Sequence, residues 1–166
     1  MRFILIREPQ LSDGPAFLSA VQHSKTMHSP WVKTPQTSQE FHEYFEHYQQ
    51  PNQKSYLVID DINIVGVFNI SEIVRGSFQN AYLGFYGIAD YAGKGYMSAS
   101  LKLVLEKVFT ELELHRLEAN IQPKNTRSIY FVRANGFRKE GYSPRYLKIN
   151  GNGRITKDGQ SLLKIG

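Results

Sequence analysis

The segment from Tyr82 to Ser98, YLGFYGIADYAGKGYMS, decides the fold prediction for this chain. It starts as an apolar strand, continues as a short loop that contains Gly93 and Gly95, and ends as the first turn of a helix. The two glycines let the loop turn tightly, so that several backbone N–H groups can converge on one anion. The helix adds the positive end of its dipole, and Lys94 adds a charge. The segment therefore predicts a diphosphate site at residues 93–98.

The spacing of the glycines excludes two other nucleotide sites. The chain contains no GxxxxGK[ST], so it has no P-loop, and no GxGxxG follows the first predicted strand, which argues against a Rossmann dinucleotide site. Because glycine is common in any turn, the phosphate prediction depends on support from the rest of the chain.

Strands and helices are predicted on both sides of this segment. Apolar patterns and turn residues predict strands at residues 3–7, 55–60, 62–73, 80–88, 115–123, 137–149 and 160–165, with a turn at 150–153. Helical spacing predicts helices at residues 12–23, 38–48, 95–112 and 126–135, and a loop at 23–36. Thr37 or Ser38 caps the second helix, Asn125 or Thr126 caps the last, and Gly136 follows it as a C′ glycine. This order predicts a mixed sheet in one α/β (α+β) domain spanning residues 1–166.

Composition narrows the class of protein. The 166 residues are 41% hydrophobic and include no cysteine, which excludes disulfides, thiolate metal sites and a cysteine nucleophile. No stretch approaches the roughly 20 apolar residues of a membrane span, and no signal peptide is apparent, so we expect a cytoplasmic protein. The five histidines have no metal-ligand spacing, and we expect no metal. The net charge of +5 is not concentrated in a stripe, which argues against a nucleic-acid-binding domain.

Two motifs resemble those of the GNAT acetyltransferases. Residues 92–97, AGKGYM, are similar to motif A, Arg/Gln-x-x-Gly-x-Gly/Ala, although Ala92 and Met97 depart from it. HRLEANIQPKNTRS, followed by NGF and KEGY, is similar to motif B. VRGSFQNAYLGF, GKGYM, an early PW and YLKING resemble the RimJ-type ribosomal-protein-alanine N-acetyltransferases within this superfamily. After residue 151 the similarity fades, because Gly153–Thr156 replace the Trp-x-Asp-His of that branch.

The resemblance implies a single-domain GNAT fold. Its sheet is mixed and mostly antiparallel, flanked by helices, and the motif A strand carries a bulge and splays from its neighbour to form a central cleft. The implied reaction is direct transfer from acetyl-CoA to an amine, without an acyl-enzyme. The implied cofactor-binding residues are Phe85, Tyr86, Gly87, Gly93, Lys94, Gly95, Tyr96, Met97, Ser98, Asn125 and Ser128.

The implied catalytic residues are Ser128 and Glu118. Val132 stands where many family members have a tyrosine acid, so Ser128 is the candidate general acid, with helix capping as its structural alternative. Asn120 aligns with the base of a sister family, and an amide cannot act as a base. Glu118 is therefore the candidate base, acting through water, and pairing with a nearby arginine is its structural alternative.

The acceptor is predicted to be an N-terminal amine. Trp31, Arg75, Ser77 and Phe78 are expected to line the acceptor side of the cleft. An α-amino group has a pKa near 7.7–8 and a lysine amine near 10.4, so at pH 7 the former is neutral about 300 times more often. An enzyme without a strong base is thus better suited to N-terminal amines. The expected partners are acetyl-CoA and a ribosomal protein N-terminus or another amine, with no nucleic acid and no membrane, and the protein is expected to be a monomer or a homodimer.

Two further readings stay open. The altered segment after residue 151 leaves room for a small-molecule acceptor, such as a polyamine, an amino acid or an antibiotic. The absence of the usual acid and base at Val132 and Asn120 leaves room for a coenzyme A-binding module without turnover.

Overall fold

The computed structural model describes residues 3–143 and 160–165. The predicted turn at 150–153 and the end of the strand predicted at 137–149 lie outside these residues. The strands are β1 (Ile4–Arg7), β2 (Lys54–Asp60), β3 (Asn63–Val74), β4 (Asn80–Gly87), β5 (Arg116–Ile121), β6 (Arg138–Ser143) and β7 (Gln160–Ile165). The helices are α1 (Gly14–His23), α2 (Lys25–His28), α3 (Ser38–His47), α4 (Tyr96–Phe109) and α5 (Thr126–Ala134). Among these elements, no helix has the length and apolar character needed to cross a bilayer.

The strands described here form one sheet in the order β1-β2-β3-β4-β5-β7-β6. Neighbouring strands are antiparallel except for β4 and β5, which are parallel. The predicted mixed, mostly antiparallel α/β sheet is therefore confirmed. The pairing of β4 with β5 covers only Asn80–Tyr82 against Arg116–Glu118. Beyond Tyr82 the two strands separate, which confirms the predicted splayed cleft.

The family resemblance implied a bulge in β4, and this expectation is wrong, because the bulge between these two strands lies in β3. From Tyr82 to Gly87, β4 pairs with β3 without a register shift, whereas the register shifts between Ser71 and Val74 of β3. Glu72 within this bulge has a φ of 53°. The Gln53 amide donates to the Glu72 carboxylate at 3.0 Å and its oxygen accepts from the Glu72 N–H at 3.2 Å. These two hydrogen bonds hold the unusual backbone of β3 in place.

Helices cover both faces of the sheet. On one face, α4 and α5 pack on a core that includes Phe68, Ile70, Leu83, Leu101, Val104, Val108, Leu117 and Val132. On the other face, α1 and α3 pack on a core that includes Phe17, Val21, Phe41, Tyr44, Leu57, Val67, Tyr86 and Ile88. Side chains that alternate along β4 therefore point to different helical layers, with Leu83 under α4 and Tyr86 under α1 and α3.

Helix boundaries agree with the sequence at the capped ends and differ elsewhere. The Thr37 hydroxyl accepts from the Glu40 N–H at 3.1 Å, which confirms Thr37 as the cap of α3. Gly136 has a φ of 99° directly after α5, as a C′ glycine does. The helix α4 ends at Phe109, short of residue 112, and the segment predicted as one loop at 23–36 contains the four-residue helix α2.

Candidate active site

A cleft of about 410 Å³ opens where β4 and β5 separate. One wall is the second half of β4, the loop after it and the start of α4; the other is the end of β5 and the start of α5. The segment from Met27 to Val32 borders it from the α1 and α3 side. Most of the predicted cofactor-binding residues line this cleft: Phe85, Tyr86, Gly87, Gly93, Gly95, Tyr96, Met97, Ser98, Asn125 and Ser128.

The loop before α4 has the geometry of an anion cradle. Gly93 and Gly95 have φ angles of 75° and 81°, and no side chain caps the N-terminus of the 14-residue helix α4. The backbone N–H groups of the first turn of a helix have no carbonyl partner within the helix. A Cβ added to Gly93 would meet no atom within 4 Å, so the loop is open to a ligand. The cradle therefore fits the diphosphate of a nucleotide cofactor.

A hydrogen bond attaches the cradle to the sheet, and a lysine lies beside the cradle outside the cleft. The Tyr96 hydroxyl donates to Asp60 Oδ2 at 2.5 Å, which ties the first residue of α4 to the end of β2. Lys94 does not line the cleft; its Nζ lies 5.9 Å from the centroid of the Tyr91 ring. From that position Lys94 contributes positive potential beside the cradle.

Met97 is accommodated by two glycines. It replaces the small residue of motif A, and the structure shows where its larger side chain fits. A Cβ added to Gly66 would lie 2.4 Å from Met97 Sδ, and one added to Gly87 would lie 3.4 Å from Met97 Cγ. Because neither glycine has a side chain, the Met97 side chain packs against β3 and β4 without displacing the cradle.

Helix α5 contributes a capped N-terminus to the opposite wall. The Asn125 Oδ1 accepts from the Ser128 N–H at 3.3 Å, so Asn125 has the structural capping role as well as a place on the cleft. Ser128 lines the cleft from the first turn of the helix. The Phe85 and Phe131 rings pack with centroids 5.2 Å apart, which joins β4 to α5 at the base of the cleft.

The structure separates the two predicted catalytic residues. Glu118 does not line the cleft; its carboxylate accepts from Asn80 Nδ2 at 3.2 Å, beside the paired part of β4 and β5. Arg116, one of the two arginines considered as its structural partner together with Arg133, binds Glu140. Asn120, two residues further along the same face of β5, does line the cleft. Its Oδ1 is buried and has no hydrogen-bond partner among the described residues.

Of the four residues predicted to line the acceptor side, the structure places one in the cleft and three away from it. Trp31 lines the cleft. Arg75, Ser77 and Phe78 lie in the turn between β3 and β4, at the opposite end of β4 from the cleft. Arg75 donates there to the Leu112 carbonyl at 2.5 Å, and Phe78 is 71% exposed.

Sequence reasoning missed Met27 and His28, which lie on α2. The His28 Nε2 is 2.7 Å from the Gly87 carbonyl oxygen, to which it donates. The Ser24 hydroxyl accepts from the Ala89 N–H at 2.8 Å. These two bonds attach the α2 segment to the end of β4, and the Trp31 N–H donates to the His28 carbonyl at 2.8 Å. Nothing in the sequence KTMH distinguishes this short helix from a loop, because four residues are too few to show a period.

His28 gives the protein a predictable pH dependence. Burial lowers the pKa of His28, and the hydrogen bond to Gly87 offsets this only in part. Unfolded histidine titrates near pH 6.5, so below that pH the unfolded state takes up a proton that folded His28 does not. We expect the free-energy advantage of the wild type over His28→Gln, measured by urea unfolding, to shrink between pH 7.5 and 5.5. Gln keeps a donor for the Gly87 carbonyl and does not titrate, so a difference that stays constant with pH would contradict the assignment.

The sequence of this chain also matches a model of a protein family. The acetyltransferase (GNAT) domain model matches residues 4–138. The chain therefore belongs to the GNAT family of acetyltransferases, which use acetyl-CoA. The family that the two motifs resembled is thus confirmed, and the cradle described above fits its cofactor.

Curated relatives fall into more than one acceptor class. The probable N-acetyltransferase YjcK of Bacillus subtilis is 37% identical over 91 residues, 55% of this chain and 50% of that protein. The ribosomal protein uS5-alanine N-acetyltransferase of Escherichia coli is 40% identical over 95 residues, 57% of this chain and 49% of that protein. The matched part of this chain thus spans about half the length of these two relatives. The spermidine N(1)-acetyltransferase of Vibrio cholerae is 23% identical over 144 residues, 85% of this chain and 83% of that protein.

A solved structure shares the fold. Mycobacterium smegmatis RimJ in complex with CoA-disulfide superposes with a TM-score of 0.86 at 23% identity, covering 98% of this chain and 81% of that one. At this identity the similarity establishes the fold.

Proposed function

We propose that this chain is an acetyl-CoA-dependent N-acetyltransferase that modifies the N-terminal α-amino group of a polypeptide, with the Ala or Ser start of a ribosomal protein as the leading acceptor. One observation carries the choice of acceptor. Among the described residues that line the cleft, none is Asp or Glu, and Arg127 is the one Lys or Arg. A polypeptide N-terminus brings a single amine into such a cleft.

A polyamine fits this charge distribution less well. It carries at least one cation besides the reacting amine, and that cation would lose water without gaining a carboxylate from the described lining. It would also meet the like charge of Arg127. A polyamine remains the second candidate because a relative that covers 85% of this chain is named a spermidine acetyltransferase. Glu118, which precedes the cleft residue Asn120 by two positions on β5, is the carboxylate of that strand nearest in sequence to the cleft.

Residues of this chain account for binding and orientation. Acetyl-CoA supplies the acetyl group as a thioester. Residues 93–98 would hold the diphosphate, and the backbone of Phe85–Gly87 would run along the pantetheine arm. The buried Asn120 Oδ1 is placed to accept an N–H from the incoming amine. A neutral α-amino group needs no strong base, which agrees with a cleft whose described lining contains no carboxylate.

The acceptor class can be tested by release of free coenzyme A thiol. We expect an Ala-starting peptide to be acetylated with a kcat/KM at least about 100-fold above that of spermidine, because leaving a buried polar or charged group unpaired costs up to about 3 kcal/mol. A preference for spermidine would overturn the proposed acceptor. If neither amine yields thiol while acetyl-CoA still raises the melting temperature, the chain is a binding module without turnover.

The role of Ser128 as general acid can be tested on the same assay. Ser128→Ala is expected to lower kcat roughly 100-fold, the low end of what a general acid contributes, with little change in acetyl-CoA affinity. The cap by Asn125 uses the Ser128 N–H and not its hydroxyl, so the helix is retained. Tyr130→Phe is the control, because it removes a hydroxyl from the same helix at a residue that is 77% exposed. An unchanged kcat in Ser128→Ala would remove Ser128 from the catalytic residues.

A further inference from the structure

Gly84 is a glycine that the fold itself does not require. It lies in the middle of β4, its φ is not in the left-handed region, and a Cβ added to it would meet no atom within 4 Å. A glycine inside a strand weakens the strand, since it has no side chain to pack and loses more conformational freedom on folding. A strand glycine in open space and without a register shift is typical of a site where a ligand or another backbone approaches closely.

The open space above Gly84 faces away from the cofactor cradle. Leu83 packs under α4, so the adjacent Gly84 faces the layer of α1 and α3, as Tyr86 does. The cradle at the start of α4 lies on the Leu83 side. Gly84 lines the cleft and is exposed, so an occupant of this space approaches the cleft from the face opposite to the diphosphate.

The floor around Gly84 is polar. Its partner on β3 is Asn69, whose Oδ1 accepts from the Ser55 hydroxyl at 2.6 Å. The Ser55 hydroxyl lies 2.5 Å from the Tyr44 hydroxyl on α3. Asn120 of β5 lines the same cleft, beyond the point where β4 and β5 separate, and its Oδ1 is buried without a described partner. Gly84 thus has the Asn69 amide on one side and the Asn120 amide across the cleft, and both can bond to a polar main chain.

We infer that the space above Gly84 receives the main chain of the acceptor polypeptide just behind its reacting amine. The inference rests on the proposed function and assigns Gly84 a part in acceptor specificity. An extended polypeptide carries an N–H and a C=O at each residue, which match the amides on either side. Any side chain at residue 84 would occupy the volume that the acceptor main chain needs. A substitution there should therefore impair long acceptors more than short ones.

The experiment is a size series at residue 84 with two acceptors. Gly84→Ala and Gly84→Val are assayed with an eight-residue Ala-starting peptide and with alaninamide, together with acetyl-CoA affinity and melting temperature. For the peptide we expect kcat/KM to fall roughly 10-fold with Ala and roughly 100-fold with Val, mainly through KM. For alaninamide we expect less than about a threefold change, and acetyl-CoA affinity within about twofold of wild type. Melting temperatures should stay level or rise, because Val favours strands.

Asn63→Val is the control, since it places a valine at an exposed strand residue outside the cleft. Wild-type activity toward the peptide in Gly84→Val would overturn the inference. An equal loss with peptide and alaninamide would place the space at the amine itself, and a loss of acetyl-CoA affinity would place it on the cofactor side; both overturn it. Failure of the proposed function is distinct, because the wild type would then not acetylate the peptide.

Discussion

Gly95→Glu is expected to abolish the thermal stabilisation of this protein by acetyl-CoA. Gly95 precedes the first residue of α4 with a φ of 81°, and its backbone forms part of the cradle. A glutamate there adds bulk and a negative charge where the diphosphate would bind. A ligand at 100 times its Kd stabilises a protein by about 2.7 kcal/mol. For a chain of this size that is a shift of roughly 5–10 °C, which we expect in the wild type and not in the variant.

Gly76→Glu is the control that separates the loss of acetyl-CoA binding from the effects of backbone strain and of the added charge. Gly76 has a φ of 71°, and a Cβ added there would meet no atom within 4 Å. It lies in the turn between β3 and β4, outside the cleft. Both variants place a glutamate at a left-handed glycine, so their unliganded melting temperatures should fall by comparable amounts. Acetyl-CoA should still stabilise Gly76→Glu fully, and the same shift in Gly95→Glu would refute the cradle.

Phe17→Ala is expected to cost about 3–5 kcal/mol of unfolding free energy. Phe17 is 0% exposed, and the centroid of its ring lies 5.1 Å from that of Phe41 and 5.2 Å from that of Tyr44. It therefore joins α1 to α3 beneath the sheet. Since domains are stable by only about 5–15 kcal/mol, this single change would remove a large part of the total.

Urea unfolding measures this loss, and Phe78→Ala is its control. Phe78 is 71% exposed, so the same truncation should change the unfolding free energy by less than about 0.5 kcal/mol. Comparable losses in the two variants would show that the α1 and α3 layer is not packed as described. Phe78→Ala also tests whether that side chain takes part in acceptor binding, through its effect on KM for the peptide.

The sequence predicted those features of the fold that local chemistry determines. Thr37 and Asn125 have side chains that bond to backbone N–H groups three residues on, so the starts of α3 and α5 could be read directly. The same holds for the glycine loop, whose two left-handed residues precede α4. The motifs of the family then supplied the cleft between β4 and β5.

Features that depend on distant partners could not be predicted in the same way. The bulge at Glu72 is held by Gln53, a residue from before β2, and nothing in the local sequence of β3 marks it. Helix α2 is held by Gly87 and Ala89, which follow it by some sixty residues. The position of Glu118 outside the cleft depends on where β4 and β5 stop pairing, which is a property of the assembled sheet.

The fit of Met97 against Gly66 and Gly87 also limits how this chain can change during evolution. Residue 66 can gain a side chain only if the Met97 side chain moves or residue 97 becomes shorter, because the new Cβ would lie 2.4 Å from Met97 Sδ. Conversely, a lineage that restores the small residue of motif A at position 97 leaves a void beside β3 until position 66 or 87 fills it. Substitutions at 66, 87 and 97 should therefore covary among descendants of a common ancestor, although the three positions lie in different secondary-structure elements.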